Sequence, residues 1–384
     1  MHTSSRLPQH FQPNAITAEL EALREAGVSW VDLTISNPTR CALIYPEEAI
    51  REALHRPEVP GYAPEAQGSQ GTREAIAAWH GHGVQAEDLL LTASTSEAYS
   101  WLFKLLGDPG DEVLVPSPSY PLFEWLARLE GLAAISIPAY FADRWHLDLE
   151  ALEAACGART RAIVVVNPNN PTGHFLSRGE WAGLTALCAR QGMALIVDEV
   201  FADYALEPAP DHLPTALEDT DPPCPVFVLS GLSKVAALPQ IKLGWILARG
   251  PAKALLEPLA FIADQYLSVS SPAQTAAPTI LGLTPALQEQ IRHRLRANLR
   301  HLDEALKPFS HLSRLPVEGG WSVLLRRPAL DSAEACALRL LRKARVLVQP
   351  GHFFDLPSEA FLVLSLLTSE AEFREGLERM LPLI

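Results

Sequence analysis

The chain has 384 residues, 48% hydrophobic and 20% charged, an ordinary globular balance and too long for one small domain. Its net charge of −14 argues against nucleic acid or an anionic membrane surface as a partner. Five scattered cysteines form no CxxC pair and read as free thiols of a reducing, cytoplasmic compartment; no apolar run approaches the roughly 18 residues of a membrane span, and the polar N-terminus shows no leader pattern.

Residues 17–26 carry an amphipathic helical pattern with Thr17 as cap and Gly27 as stop. Val31–Ile35 alternates like a strand and runs into Ser36-Asn-Pro-Thr-Arg40, either a plain surface turn or one that presents Ser36, Asn37 and Arg40 to a ligand. Glu47–Leu54 and Thr72–Trp79 read as helices. The spacing of Gly81, Gly83 and Ala86 imitates a dinucleotide fingerprint but follows a helix and lacks the preceding strand; His80 and His82 have no third metal ligand near and read as a surface turn. Asp88–Thr92 is a short strand that leads to Ser94, Thr95 and Ser96 at the start of a helix expected over 98–106. Free N–H groups, hydroxyls and the helix dipole converge there, an arrangement that serves either phosphate binding or ordinary N-capping.

Val113–Val115 is a strand, and Tyr120 lies in the turn beyond it, where its ring either rests on a flat ligand or packs in the loop. Ala133–Ile137, Thr160–Val166, Met193–Val197 and Val226–Leu229 are further apolar strands, interleaved with helices at Leu149–Cys156 and Glu180–Gln191. Three of these strands end in polar stretches: Asn167-Pro-Asn-Asn-Pro-Thr-Gly173, Asp198-Glu-Val-Phe201, and Ser230-Gly-Leu-Ser-Lys234 with Lys242 beyond. A lysine just past a strand end, among small residues, suits a Schiff base with a carbonyl cofactor, and a second cation suits a phosphate.

Unalternating apolar strands interleaved with helices predict an α/β fold, its large domain a mostly parallel sheet sandwiched by helices over residues 46–275. Such sheets bind ligands at the carboxyl ends of their strands, and Ser94–Ser96, Tyr120, Asn170, Asp198 and Lys234 all fall just past strand ends. After Gln274 the pattern changes to a long helix near 283–307, short strands within 314–325, 346–348 and 361–367, and helices at 334–344 and 370–380. Residues 1–45 and 276–384 are therefore expected to form a smaller α+β domain.

Together these motifs resemble the pyridoxal-phosphate-dependent aminotransferases of classes I and II, fold type I, the aspartate aminotransferase superfamily. The matches run in the family's order over roughly residues 30–380: Tyr62 with Gly68 and Arg73, Asp108-Pro-Gly-Asp111, Pro118-Ser-Tyr-Pro121, Asn167–Gly173, Asp198-Glu199, Ser233-Lys234 with Gly244, then Pro350-Gly351 and Phe353. The resemblance implies pyridoxal 5'-phosphate held on Lys234 as an internal aldimine, with Lys234 then moving the proton between substrate and cofactor. It implies Asp198 paired with the pyridinium nitrogen and lowered in pKa by that charge, Asn170 donating to the phenolic oxygen, and Tyr120 stacked on the ring. Ser94, Thr95, Ser96, Ser233 and Lys242 would hold the phosphate, and Tyr62 would reach the phosphate of a neighbouring subunit, which implies a homodimer. The implied reaction moves an amino group between an amino acid and a 2-oxo acid. A pyridoxal-phosphate lyase or decarboxylase, and a non-catalytic ligand-binding relative, are the competing readings.

Three residues depart from the family pattern. Lys242 stands where many members carry arginine. Phe201 stands where many carry a tyrosine donating to the phenolic oxygen, which implies a raised aldimine pKa. Val363 stands where the family has the arginine for the substrate α-carboxylate. Arg40, in the turn the family places at the substrate, is the expected replacement anchor, with Arg326 second. The alternative is an amine without a conventionally held α-carboxylate.

Overall fold

Seven strands build the central sheet: β1 (Leu89–Thr92), β2 (Glu112–Ser117), β3 (Ala133–Pro138), β4 (Thr160–Val166), β5 (Ala194–Asp198), β6 (Val226–Gly231) and β7 (Gly244–Arg249). The computed structural model describes residues 3–8, 11–55 and 63–384, so Tyr62 lies outside the described residues. The strands lie in the spatial order β1-β7-β6-β5-β4-β2-β3, all parallel except β7, which runs antiparallel between β1 and β6. Alternate residues of the inner strands enter different cores. Ile163, Val165, Leu195 and Val197 pack with Leu184 and Leu187 of the helix Arg178–Gln191, whereas Val164, Val166 and Ile196 pack with Tyr99, Leu102 and Phe103 of the helix Thr95–Leu106. Both faces are thus covered, which is why these strands read as unbroken apolar runs.

β7 and the helix Leu256–Asp264 go unrecognised in the sequence. β7 opens at a tight crossing: a Cβ on Gly244 would meet Thr92 Oγ1 at 3.0 Å, Ser230 O at 3.1 Å and the Ser94 carbonyl carbon at 3.2 Å. That close approach sets the Ser94 loop against β7, beside β6, the strand that leads to Lys234. The helix expected near 283 begins instead at Ser271 and runs to Leu306 through Pro278 and Pro285, continuous across the expected boundary at 275/276. Pro278 has no N–H for the Gln274 carbonyl; the Thr72 hydroxyl donates to that carbonyl at 2.8 Å instead.

The expected strand at Val31–Ile35 shortens to Val31–Asp32 and pairs in parallel with Val346–Leu347. The preceding helix, Ala15–Glu25, is capped by Asn14, not Thr17: the Asn14 side chain accepts from Thr17 N at 2.8 Å. Ile16, Leu23 and Leu33 share a core with Leu340, Leu364 and Leu377, under a second, antiparallel sheet of Ser313–Arg314, Ser322–Arg326, Phe361–Ser365 and Gln349–Pro350 in spatial order. Val200, Phe201, Tyr204 and Ala237 join this core from the side of the central sheet. The two sheets therefore meet at the end of β5 and at the lysine turn.

His80 is not in a surface turn but closes the helix Gln70–His80. Its ring packs edge-on to Trp245 at 5.7 Å, and its Nε2 accepts from Trp245 Nε1 at 3.0 Å. Burial lowers its pKa from 6.5 to about 4, with His82 and Arg249 acting in the same direction. Because the folded pKa is depressed, this stability is present above pH 6.5 and lost as the pH falls through about 4. In denaturant unfolding the wild type is expected to lose about 2–3 kcal/mol more than His80→Gln between pH 7 and pH 4. Comparing the two proteins cancels the contributions of the buried carboxyls, and equal losses would exclude the assignment.

Candidate active site

The carboxyl ends of β4, β5 and β6, the start of the helix Thr95–Leu106 and the turn at Ser36 enclose a cleft of about 150 Å³. Its lining includes Ser36, Thr95, Ser96, Tyr120, Asn170, Asp198, Ser233 and Lys234, all expected from the sequence, and also Tyr99, Val200 and Phe201. Lys234 is half-buried on the short helix Leu232–Val235. Its Nζ donates to Ser36 O at 3.1 Å and lies 4.8 Å from the centroid of the Trp321 ring and 5.6 Å from that of Phe201. Burial lowers the Lys234 pKa from 10.5 to about 8, against the opposing pull of Asp198. An amine so shifted is partly neutral near physiological pH, and the neutral form is the nucleophile. The Tyr204 hydroxyl donates to Lys234 O at 2.6 Å and that of Tyr45 to Ala237 O at 2.8 Å, pinning the backbone of the turn.

Asp198 ends β5 and is 6% exposed. Its Oδ2 accepts from the Tyr99 hydroxyl at 3.0 Å and its Oδ1 from Val200 N at 3.1 Å. The lowered pKa expected for Asp198 belongs to its pairing with a cofactor cation; the protein's own groups on balance act the other way. Burial raises it from 3.8 to about 6, outweighing both hydrogen bonds and the Lys234 charge. A cationic group set against this carboxylate offsets the desolvation, so the position favours a positively charged partner. The sequence reading missed Tyr99, although its spacing of four from Thr95 and three from Ser96 puts all three on one face of the helix.

At the other end, Ser94 is the N-cap of the helix Thr95–Leu106: its hydroxyl accepts from Glu97 N at 3.2 Å, and it is not among the lining residues. Thr95, Ser96 and Ser233 line the cleft beside that helix start. Lys242 is exposed in a left-handed turn (φ 58°), outside the lining. Tyr120 lines one wall, 38% exposed and edge-on to Phe123 at 6.0 Å. Asn170 accepts a hydrogen bond from the Ser322 hydroxyl at 3.1 Å. This donor set suits a flat polar ring with an anion at one end, a basic nitrogen at the other and a carbonyl within reach of Lys234.

The turn residues separate. Ser36 lines the cleft, whereas the Asn37 carboxamide accepts from Thr39 N at 3.1 Å and Thr39 Oγ1 at 2.8 Å, capping Pro38–Arg40. Asn37, Arg40 and Arg326 are exposed and outside the lining. Val363 is buried in an apolar cluster with Trp145, Leu324 and Phe354. Among the described residues lining the cleft, Lys234 and Asp198 are the charged ones.

The sequence profile of the family described as Aminotransferase class I and II matches residues 29–380. Glutamate-pyruvate aminotransferase of Haemophilus influenzae is 28% identical over 355 residues, covering 87% of this chain and 86% of its own length. Alanine aminotransferase of Mycobacterium tuberculosis is 27% identical over 379 residues, 94% of this chain and 86% of its own. Among solved structures, alanine aminotransferase from Pyrococcus furiosus superposes with a TM-score of 0.87 at 26% identity, covering 98% of each chain. A mutant of Thermus thermophilus aspartate aminotransferase superposes at 0.86 and 26% identity over 100% of both. With the lysine and the buried aspartate brought together at the strand ends, and with agreement over nearly the whole chain, the protein belongs to the class I and II aminotransferases and is a transaminase of the aspartate aminotransferase fold.

Proposed function

We propose that the enzyme moves an amino group between an amino acid and a 2-oxo acid using pyridoxal 5'-phosphate held at Lys234. The observation that carries this reading is the convergence of Lys234, Asp198 and the helix start at Thr95–Ser96 on one cleft. Pyridoxal phosphate, when bound, supplies an electron sink for bonds at the substrate Cα. Lys234 holds the cofactor carbonyl and takes and returns the Cα proton, its lowered pKa suiting both tasks. Asp198 keeps the ring nitrogen charged, and the Asn170 amide donates to the phenolic oxygen. Thr95, Ser96 and Ser233 with the helix N-terminus take the phosphate; Ser94 shapes that terminus as its cap, and Lys242 adds charge from outside the lining.

An absorption spectrum taken after incubation with pyridoxal phosphate tests this. A visible cofactor band that one α-amino acid converts to the aminated form is expected. Ammonia release without that conversion would point to a lyase, and no band at all would end the cofactor reading.

The proposed assembly is a homodimer with Tyr62 in the shared site. It is supported by Phe261 (71% exposed) and Tyr266 (52% exposed), the latter packed on Trp101 of the Thr95–Leu106 helix, with ring centroids 5.9 Å apart. A cytoplasmic location is proposed from the free state of all five cysteines. Among the described residues no helix is long and apolar enough to cross a membrane. Because Arg40 stands outside the lining, we favour a substrate carboxylate held without its guanidinium. Arg40→Ala is expected to change the substrate dissociation constant by less than about threefold, whereas losing a charged hydrogen bond would cost about tenfold or more.

A further inference from the structure

We propose that Ser322 is a positioning residue that sets which way the Asn170 amide faces, and so tunes the ionisation of the bound cofactor; this rests on the cofactor reading above. The Ser322 hydroxyl donates to Asn170 Oδ1 at 3.1 Å, from the first residue of a strand in the second sheet to a turn 152 residues earlier in the chain. The reach between them is set by backbone packing. Gly319 N donates to Gly173 O at 2.9 Å and Gly320 N to Tyr204 O at 3.0 Å. A Cβ on Gly173 would meet Val317 Cγ2 at 2.5 Å, and one on Gly319 would meet the Phe175 ring at 2.5 Å, so the segments cannot be spaced further apart by side chains. The Glu318 carboxylate adds a clasp, accepting from Phe175 N at 2.8 Å and pairing with Arg144 at 3.3 Å.

An amide has one accepting and one donating end. With Oδ1 taken by Ser322, Nδ2 is left to donate, and it has no protein acceptor among the described residues. A flipped amide would turn its oxygen toward the phenolic oxygen of the cofactor, two acceptors face to face. Phe201, also in the lining, has no donor to offer in its place. A donor on that oxygen favours the form in which the negative charge is unshared, which is the deprotonated form of the cofactor–lysine linkage. Losing the donor therefore raises the pH at which the linkage titrates.

The test is the pH titration of the visible cofactor band in the intact enzyme. Ser322→Ala is expected to raise the midpoint by about half a pH unit or more, the size of one lost hydrogen bond, and Ser322→Thr to restore it. In an Asn170→Ala background, which shifts the midpoint by itself, Ser322→Ala is expected to add nothing, because the serine acts through Asn170. If Ser322→Ala folds poorly, the pair Ser322→Val and Ser322→Thr makes the same comparison at matched shape. A normal cofactor band with an unchanged midpoint in Ser322→Ala would overturn the proposal and leave the cofactor reading intact, as would a shift additive with Asn170→Ala. Absence of a cofactor band in the wild type would overturn both.

Discussion

Lys234→Ala is expected to fold and to lose transamination by at least about 10⁴-fold, since in the proposed function one residue serves as both nucleophile and proton carrier. The surroundings of the amine set this expectation. Its Nζ donates to a backbone oxygen, Ser36 O, and otherwise faces the Trp321 and Phe201 rings, so among the described residues no carboxylate holds it in the charged form by direct contact. Alanine leaves neither a group to join the carbonyl nor a base over the Cα. Lys234→Arg separates charge from chemistry: the guanidinium keeps the cation but has no titratable proton near neutral pH, and it is expected to be as inactive as alanine. Rates with a saturating amino donor, read beside the cofactor spectrum, decide it. More than about 1% residual turnover in Lys234→Ala would exclude this lysine from both roles.

Asp198→Asn is expected to cut the rate by roughly 10²–10⁴-fold, because in the proposed function a neutral amide cannot keep the cofactor's ring nitrogen charged. It also carries an opposite consequence for the cofactor-free fold. The Asp198 folded pKa of about 6 lies above the ordinary 3.8. A raised folded pKa means that its favourable contribution is complete below 3.8 and is lost as the pH rises through about 6, so at neutral pH the buried carboxylate is a net cost. Cofactor-free Asp198→Asn is thus expected to be more stable than the wild type by about 1–3 kcal/mol at pH 8, with the difference shrinking toward pH 4. Denaturant unfolding at the two pH values measures it. A variant both inactive and less stable at pH 8 would show that hydrogen bonds to Tyr99 and Val200 outweigh the burial of charge. The pairing of lost activity with gained stability is what a site that keeps strain for function predicts.

Much of this was legible in the chain itself. β4, β5 and β6 announce themselves because a strand covered on both faces must be apolar at every position, and the polar residues just past each such run mark the carboxyl edge of the sheet. Asn170, Asp198 and Lys234 follow from that rule, and they do line one cleft. β7 was hidden because only short helical turns, Leu232–Val235 and Pro239–Ile241, separate it from β6, and the helix from Ser271 because two prolines imitate a break. The proline at 278 is tolerated through a hydroxyl from a helix two hundred residues earlier in sequence, at Thr72.

The fold class, the family and the strand-end positions of Lys234, Asp198 and Asn170 are legible in the chain alone, since periodicity and strand ends are short-range properties. Packing alone shows that Ser94 is a cap while Thr95 and Ser96 face the cleft, that Arg40 stands outside it, that Tyr99 lines it, and that Trp321 and Ser322 touch the lining residues Lys234 and Asn170. It also sets the direction in which the protein's own groups move the Asp198 pKa. Desolvation and hydrogen bonding depend on neighbours far away in sequence, Tyr99 for Asp198 and Ser322 for Asn170, and no local pattern records which of them the packing brings into contact.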